Sequence, residues 1–229
     1  MPSSDALANL RGGLIVSCQA QPHEPLHGAA HMAVMARAVV EGGAVGVRCE
    51  SPADIAAIRA AVDVPLIGLW KQGEVGVYIT PTFEAAAAVV AAGADVVAVD
   101  ATDRPRPEPV ADLVGRIRRD LGVPVLADVS SLAEALAAEA AGAWAVAPTL
   151  AGYTGEGPPP AEPDWALLTE MIARCRGPVL MEGRIWTPEE AARALAHGAW
   201  AVVVGSAITR PQLVTRRFAA SLRAAEGGG

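Results

Sequence analysis

The segment Gly93-Ala94-Asp95-Val96-Val97-Ala98-Val99-Asp100 shows most clearly the pattern that repeats along this 229-residue chain. In it a glycine follows a helix-like segment, and a short apolar run then ends at an acidic residue. Glycine is common just after a helix, and a short continuous apolar run is typical of a strand buried on both faces. Three other apolar runs begin in the same way, at Gly42-Gly43-Ala44, Gly142-Ala143-Trp144 and Gly198-Ala199-Trp200. The pattern predicts a unit in which each helix is followed by a buried strand.

Working outward from this stretch, we find eight such units. The predicted strands are Leu14–Gln19, Ala44–Arg48, Pro65–Lys71, Asp95–Asp100, Pro124–Asp128, Ala143–Thr149, Pro178–Glu182 and Ala199–Gly205. The predicted helices are Ala29–Glu41, Pro52–Val62, Thr82–Ala92, Pro109–Leu121, Leu132–Ala141, Asp164–Arg174, Thr187–His197 and Pro211–Ala225. Strands that alternate with helices form a parallel sheet.

Two arrangements of such a sheet compete, a closed barrel and a doubly wound open sheet. Eight units in this length favour closure, because barrels of this kind run to about 200–250 residues. No G-x-G-x-x-G follows the first strand, which weakens the open-sheet alternative. We therefore predict an α/β protein with one (β/α)8 TIM-barrel domain over residues 1–229, preceded by a short helical segment.

Composition excludes several classes of protein. Hydrophobic residues make up 52% of the chain and the net charge is −7, with no basic run of the kind that nucleic-acid binders carry. No apolar stretch approaches the roughly 20 residues that span a membrane, and residues 1–11 lack the pattern of a signal peptide. The three cysteines, Cys18, Cys49 and Cys175, form no C-x-x-C, which suits a reducing compartment. We expect a cytoplasmic protein without nucleic-acid or membrane partners.

Polar residues at the strand ends indicate where the chemistry lies. Side chains of a barrel strand alternate between the interior and the helix layer. If the last polar residue of each strand points inward, one rim collects Gln19, Arg48, Lys71, Asp100, Asp128 and Glu182. Barrel enzymes place catalytic residues at this carboxyl end. By the same parity Cys18 and Cys49 face the helices and are expected to be inert core thiols.

The last two strands are followed by a predicted anion site. Glu182-Gly183-Arg184 follows strand 7, and Gly205-Ser206 with Arg210 follows strand 8. Phosphate sites in barrels often use these two loops, where backbone N–H groups approach the oxyanion and an arginine binds it in a bidentate manner. The pair His27 and His31 is expected to be an ordinary helix pair, so we expect no metal site.

These residues together resemble the N-acetylmannosamine-6-phosphate 2-epimerase family. The matching stretches are Gly12–Ala20, Gly42–Arg48, Pro65–Leu69 with Lys71, Tyr78–Thr82, Asp100–Thr102 with Arg104–Pro107, Leu126–Ser130, Gly152–Thr154, Glu182–Arg184 and Gly205–Pro211. They run from the first strand to the last helix. Two stretches depart from the family pattern, namely a short segment Gln72–Val77 and a proline-rich loop Gly155–Pro163.

The resemblance implies an isomerase that interconverts N-acetylmannosamine 6-phosphate and N-acetylglucosamine 6-phosphate in amino-sugar and sialic-acid breakdown, without a cofactor or metal. It implies that Lys71 is the catalytic base and Glu182 its partner acid or base. The residues expected to contact the phosphosugar are Gln19, Arg48, Asp128, Gly183, Arg184, Gly205, Ser206 and Arg210.

Two alternatives and one partner prediction accompany this interpretation. Lys71 would also serve an aldolase or lyase that forms a Schiff base, and a phosphosugar-binding sensor without catalysis would share the anion site. A homodimer is expected, since apolar helix faces of barrels can pair. Trp165, Trp186 and Phe218 are candidate exposed aromatic residues.

Overall fold

A computed structural model of the protein describes residues 7–73, 76–155, 158 and 160–226. The strands are β1 Leu14–Cys18, β2 Gly46–Glu50, β3 Leu66–Leu69, β4 Val96–Asp100, β5 Val125–Asp128, β6 Ala145–Ala147, β7 Leu180–Glu182 and β8 Ala201–Val204. The helices are α1 Ala29–Glu41, α2 Pro52–Arg59, α3 Phe83–Ala91, α4 Val110–Arg116, α5 Leu132–Ala140, α6 Trp165–Arg174, α7 Pro188–Ala196, α8 Ser206–Thr209 and α9 Pro211–Glu226. The predicted alternation of strands and helices is confirmed.

The eight strands are parallel and follow the order β6-β5-β4-β3-β2-β1-β8-β7. The two outer strands of this order meet through a parallel bridge between Val146 and Val179. The Val146 N–H donates to the carbonyl of Pro178 at 3.1 Å across the same junction. The sheet therefore closes on itself, and the predicted (β/α)8 barrel is confirmed.

Two apolar layers follow from the alternation of strand side chains. Ile15, Ile67, Leu126 and Val203 belong to the cluster that fills the barrel interior. Cys18 and Cys49 belong instead to a cluster shared with helix residues, and both are fully buried. Burial raises the pKa of Cys18 to about 12 and that of Cys49 further, so both thiols stay protonated at neutral pH. The predicted facing of both cysteines is confirmed.

Local signals in the sequence explain where the helices begin and end. Ser131 and Thr187 each accept a hydrogen bond from the backbone N–H three residues on, within complete capping boxes. Gly93 and Gly198 follow helices with φ of 109° and 103°, a conformation that glycine adopts without steric cost. These glycines turn the chain back so that a strand begins directly after the helix.

Three predicted elements differ most from the structure. The second strand was expected over residues 44–48, but β2 runs from Gly46 to Glu50 because its pairing with β3 continues to the partners Glu50 and Leu69. The sixth strand was expected over Ala143–Thr149 but spans only Ala145–Ala147. The helix predicted to reach Leu121 ends at Arg116 and continues as a π-helical turn.

The amino ends of the strands are covered by apolar side chains. Trp144 and Trp200 meet edge to face with ring centroids 5.4 Å apart, and Leu10 is fully buried in the cluster that these two rings border. Leu7 and Ala8 are helical, while the start of the predicted N-terminal segment lies outside the described residues. Within the described part of the chain, no helix is both long and apolar enough to cross a membrane.

Candidate active site

A cavity of about 290 Å³ opens at the carboxyl ends of the strands. Most residues predicted for the site line it: Gln19, Arg48, Lys71, Glu182, Gly183, Arg184, Gly205, Ser206 and Arg210. Ser17, Tyr78, Thr149, Tyr153 and Trp186 line it as well. The cavity lies where barrel enzymes carry their active sites.

A buried ion cluster forms the floor of the cavity. Arg48 donates to both carboxylate oxygens of Asp128, at 3.0 and 2.6 Å, and also to Glu182. Asp128 is completely buried and accepts a further hydrogen bond from Thr149 at 2.5 Å. Burial by itself lowers the pKa of Arg48, but the two carboxylates raise it above its ordinary value. Arg48 is therefore a fixed cation with two acidic partners.

Glu182 has a pKa suited to proton exchange near neutral pH. Burial raises its pKa to about 7, against the opposing effects of Arg48 and Lys71, while Asp128 adds to the increase. A carboxyl group with such a pKa donates and accepts protons at similar rates near pH 7, which suits general acid–base catalysis.

Lys71 is the only lysine in the chain, against seventeen arginines. It lies two residues beyond the end of β3, where it pairs with Ile79 in an isolated antiparallel bridge. Its Nζ donates to Oε1 of Gln19 at 2.8 Å and lies 3.0 Å from Oε2 of Glu50. The amine is thus held at the cavity wall between residues of β2 and of the loop after β1.

The described residues 70–73 and 76–80 pair with each other and form the two arms of a hairpin. The Gln72 N–H donates to the Tyr78 carbonyl and the Thr80 N–H to the Trp70 carbonyl, both at 2.9 Å. This hairpin brings Tyr78 to the cavity, with the Arg104 guanidinium 5.3 Å from the centre of its ring. Of the segment that departs from the family pattern, Gln72–Val77, the described residues therefore border the site, and residues 74 and 75 lie outside the described chain.

The loops after β7 and β8 form the opposite wall. Helix α8 begins at Ser206 directly after Gly205, and its Thr209 hydroxyl donates to the Ser17 carbonyl at 2.9 Å. A Cβ placed on Gly205 would lie 3.2 Å from the Cβ of Ser17, so a side chain there would crowd the strand. Arg210 lies at this wall with Nη2 3.0 Å from Oε2 of Glu24.

Arg184 reaches the cavity but is also tied to the loop after β6. Its Nε donates to the Glu162 carbonyl at 2.5 Å, and its Nη1 donates to the Ala151 carbonyl. These bonds hold the described part of the proline-rich loop against the end of β7. Arg184 thus positions this loop as well as facing the cavity.

Two acidic residues expected on the rim lie behind it. Asp128 was expected to contact the phosphosugar, but it is buried beneath Arg48 and is not among the residues that line the cavity. Asp100 accepts hydrogen bonds from the backbone and hydroxyl of Thr102 and pairs with Arg104 at 2.5 Å. Asp100 therefore fixes the loop after β4 rather than facing the cavity.

Sequence reasoning missed Glu50, which touches Lys71. Strand parity would have found it, because Arg48 and Glu50 lie two residues apart on one strand and so share a face. The second strand was predicted to end at Arg48, so Glu50 was not considered as a residue of that strand. Thr149 was assigned to a strand end, but its hydrogen bond to Asp128 had no sequence signal.

His27 and His31 were expected to form a pair on one helix, but α1 begins at Ala29 and His27 precedes it. Both side chains bond to the backbone. Nδ1 of His27 lies 3.0 Å from the Ala20 carbonyl, and Nδ1 of His31 lies 3.1 Å from the His27 carbonyl. Among the residues that the structure describes, no group of three or more His, Cys, Asp or Glu side chains is arranged to hold a metal ion.

Comparison with known proteins places this site in a family. The NanE family, described as "Putative N-acetylmannosamine-6-phosphate epimerase", matches residues 32–224. A protein of Thermosynechococcus vestitus named "Putative N-acetylmannosamine-6-phosphate 2-epimerase" is 52% identical, over 94% of this chain and 95% of its own length. A protein of the same name from Cutibacterium acnes is 47% identical, over 95% of this chain and 96% of its own.

A solved structure agrees with these sequence matches. The N-acetylmannosamine-6-phosphate 2-epimerase from Clostridium perfringens superposes with a TM-score of 0.89 and 41% identity, over 93% of this chain and 94% of that chain. The family match covers most of the chain, and the relatives are matched over nearly their whole length. The chain belongs to the NanE family of N-acetylmannosamine-6-phosphate epimerases.

Proposed function

We propose that this protein interconverts N-acetylmannosamine 6-phosphate and N-acetylglucosamine 6-phosphate by removing and returning the proton on carbon 2. The observation that carries the proposal is that Lys71, the chain's only lysine, lines one cavity with Glu182, whose pKa is about 7. The substrate is inferred from membership of the family, and these two side chains provide groups that can donate and accept its protons.

The ring form of the sugar must open first, because the carbon 2 proton is acidic only when carbon 1 is a carbonyl. Ring opening breaks the bond between carbon 1 and the ring oxygen, which gains a proton, while the hydroxyl on carbon 1 loses its proton to solvent. We assign the donation to the ring oxygen to the protonated form of Glu182. Arg48 fixes the orientation of that carboxyl group through its direct bond. A buried, oriented acid with a pKa near the working pH is effective in such a step.

The neutral amine of Lys71 then removes the carbon 2 proton. The electron pair of the broken C–H bond passes into the carbonyl and gives an enolate, which the fixed positive charge of Arg48 stabilises. Return of the proton to the other face of carbon 2 gives the epimer. No redox change occurs and no atom is gained or lost, so the step needs no co-reactant.

The opposite wall is proposed to hold the phosphate group. Gly183, Gly205, Ser206 and Arg210 all line the cavity there. Backbone N–H groups at the start of a helix, a hydroxyl and a guanidinium together suit a phosphate dianion. Binding energy from this non-reacting group would position carbon 2 against Lys71. Gln19, held by Lys71 and Ser17, is proposed to contact the sugar.

We propose that the protein acts as a homodimer. Of the α9 residues whose side chains the structure describes, 211–224, none is buried, and Phe218 and Leu222 are 71% and 69% exposed. An apolar cavity of about 400 Å³ lies between α7, α8 and strands β1 and β8. The apolar residues of α9 from a second copy would have a matching surface there.

Three free cysteines support a cytoplasmic location.

A deuterium-exchange assay tests the proposed activity. N-acetylmannosamine 6-phosphate incubated with the protein in D₂O should give N-acetylglucosamine 6-phosphate with deuterium at carbon 2, followed by NMR. Lys71→Ala should lower turnover by about 10²–10⁴-fold, the usual contribution of a general base. Product formed without deuterium, or full turnover by the variant, would contradict the assignment of Lys71.

Borohydride separates this chemistry from a lyase that uses the same lysine. Reduction in the presence of substrate traps a Schiff base as a stable adduct on the lysine. We expect no substrate-dependent mass increase on Lys71, because the amine acts only on a proton. A trapped adduct would favour the aldolase or lyase chemistry, and tight phosphosugar binding without turnover would favour a sensor.

A further inference from the structure

We propose that Glu50 is a positioning residue for proton transfer by Lys71. Its carboxylate holds the amine at the cavity wall and stabilises the ammonium that forms when the carbon 2 proton arrives. The proposal rests on the role in proton transfer proposed above for Lys71.

The contact geometry places Glu50 behind the amine. Oε2 of Glu50 lies 3.0 Å from Nζ of Lys71, and the Glu50 side chain is only 16% exposed. Glu50 is not among the residues that line the cavity, whereas Lys71 is. On the other side, Oε1 of Gln19 accepts a hydrogen bond from the same nitrogen at 2.8 Å. Glu50 and Gln19 together fix the direction in which the amine meets the substrate.

The Glu50 oxygen depends on this pair. Oε2 is buried and has no hydrogen-bond partner within the described part of the chain, so the Lys71 nitrogen at 3.0 Å is its nearest polar partner. A buried carboxylate oxygen without a cation or donor nearby is costly. The two side chains therefore constrain each other.

The other charged groups that face the amine already have partners. Arg48, on the same strand as Glu50, is shared between Asp128 and Glu182. Arg210 is paired with Glu24, and Tyr78 faces the cavity from the hairpin. Glu182 is partly protonated near neutral pH. Among the described carboxylates, only Glu50 lies within 4.0 Å of the Lys71 nitrogen.

This arrangement acts on the chemical step rather than on binding. When the neutral amine takes the carbon 2 proton, an N–H bond forms as the C–H bond breaks, and a positive charge appears beside Glu50. The carboxylate is most strongly attracted to Lys71 in that state, so it lowers the barrier to reach it. The ammonium then returns the proton to carbon 2, and Glu50 is unchanged over the cycle.

Kinetics of matched variants test the proposal. Glu50→Gln keeps the shape but loses the charge, Glu50→Asp keeps the charge on a shorter chain, and Asp103→Asn removes an exposed carboxylate at the same end of the barrel. We expect Glu50→Gln to lower kcat on the order of tenfold to a hundredfold, with KM within about twofold of the parent. Glu50→Asp should recover part of the loss, and Asp103→Asn should show none.

The single lysine allows a direct spectroscopic readout. Protein labelled with ¹³Cε-lysine gives one lysine signal, and its chemical shift reports the surroundings of the Lys71 amine alone. In Glu50→Gln this signal should move from its position in the parent at the same pH, because the carboxylate 3.0 Å from the amine is lost, while Asp103→Asn should match the parent.

The results of the kinetic and NMR experiments decide whether Glu50 has the proposed role. Unchanged kcat and an unchanged lysine signal in a folded Glu50→Gln protein would overturn the role of Glu50. A fall in kcat with a parental lysine signal, and no recovery in Glu50→Asp, would reduce Glu50 to a packing residue and also overturn it. If Glu50→Gln fails to fold, Glu50→Asp decides by the same two readouts. Full turnover by Lys71→Ala would instead defeat the role of Lys71 on which this proposal rests, whatever Glu50 does, and a parent protein without epimerase turnover would defeat the proposed function.

Discussion

Arg48 on β2 binds Asp128 on β5 through two nitrogens, at 3.0 and 2.6 Å, across the interior of the barrel. Both side chains are at most 2% exposed. Asp128 supplies no surface to the cavity, so we infer that it acts by fixing the arginine that does.

Asp128→Asn tests that relationship. The amide cannot neutralise Arg48, so the variant should lose on the order of 3 kcal/mol of unfolding free energy, as expected when one partner of a buried ion pair is removed. Urea unfolding measures the loss. Asp103→Asn, which alters an exposed carboxylate, serves as the control. Equal midpoints for the two variants would contradict a structural role for the buried pair.

The raised pKa of Glu182 predicts a pH dependence of stability. Its pKa is about 7 in the folded chain against an ordinary value of 4.5. Between these values the folded state binds more protons than the unfolded state, so the contribution of this group to stability falls as pH rises from about 5 to 8. Glu182→Gln cannot titrate and should show a shallower decline over this range. Parallel unfolding curves for the variant and the parent would contradict the shift.

The same pKa predicts the pH dependence of activity. If the protonated carboxyl of Glu182 opens the ring, kcat/KM of the parent protein should decrease above about pH 7. This decrease in kcat/KM above about pH 7 should be absent in Glu182→Gln, whose residual activity is lower at every pH. If the decrease in kcat/KM persists in the variant, a group other than Glu182 causes it.

Removal of Arg210 should affect binding more than chemistry. A hydrogen bond to a charged group contributes enough to raise KM for the phosphosugar about tenfold to a hundredfold when it is lost in Arg210→Ala. The value of kcat should change much less. Arg174→Ala, on an exposed part of α6, is the control. An unchanged KM would remove Arg210 from the phosphate site.

The exposed face of α9 predicts where the dimer forms. Substitution of Phe218 and Leu222 by serine removes two side chains that are 71% and 69% exposed, so a monomer should replace the dimer without loss of the barrel. Light scattering after size exclusion measures the mass. Val34→Ser, at a side chain 65% exposed on α1, should leave the assembly unchanged. A parent protein that is already monomeric would end this proposal.

Most of what the sequence predicted about the fold and the rim came from the alternation of strand side chains between the barrel interior and the helix layer. Lys71 and Glu182 were placed on one rim because each ends an apolar run, and both line the cavity. Alternation does not reveal depth, however. It could not distinguish Asp128, which lies beneath Arg48, from a residue that faces the cavity, because burial at a rim depends on the length of a neighbouring side chain.

Contacts made by loops were beyond sequence reasoning. Arg184 was expected to bind substrate, but its hydrogen bonds to Ala151 and Glu162 depend on how the loop after β6 folds back. Glu50 was missed for a different reason. Strand ends are set by pairing with neighbours, and β2 continues beyond Arg48 because β3 offers partners up to Leu69.

The junction that closes the barrel has a consequence for the ion cluster. Strands β6 and β7 have three residues each and meet through the bridge between Val146 and Val179. Arg48 binds Asp128, on the strand beside β6, and Glu182, at the end of β7. Arg48 therefore links strands on the two sides of this short junction, β5 through Asp128 and β7 through Glu182. We expect a compound that drew Arg48 away from Glu182 to lower activity and also to loosen the barrel, which faster exchange of the Val146 amide at this junction would report.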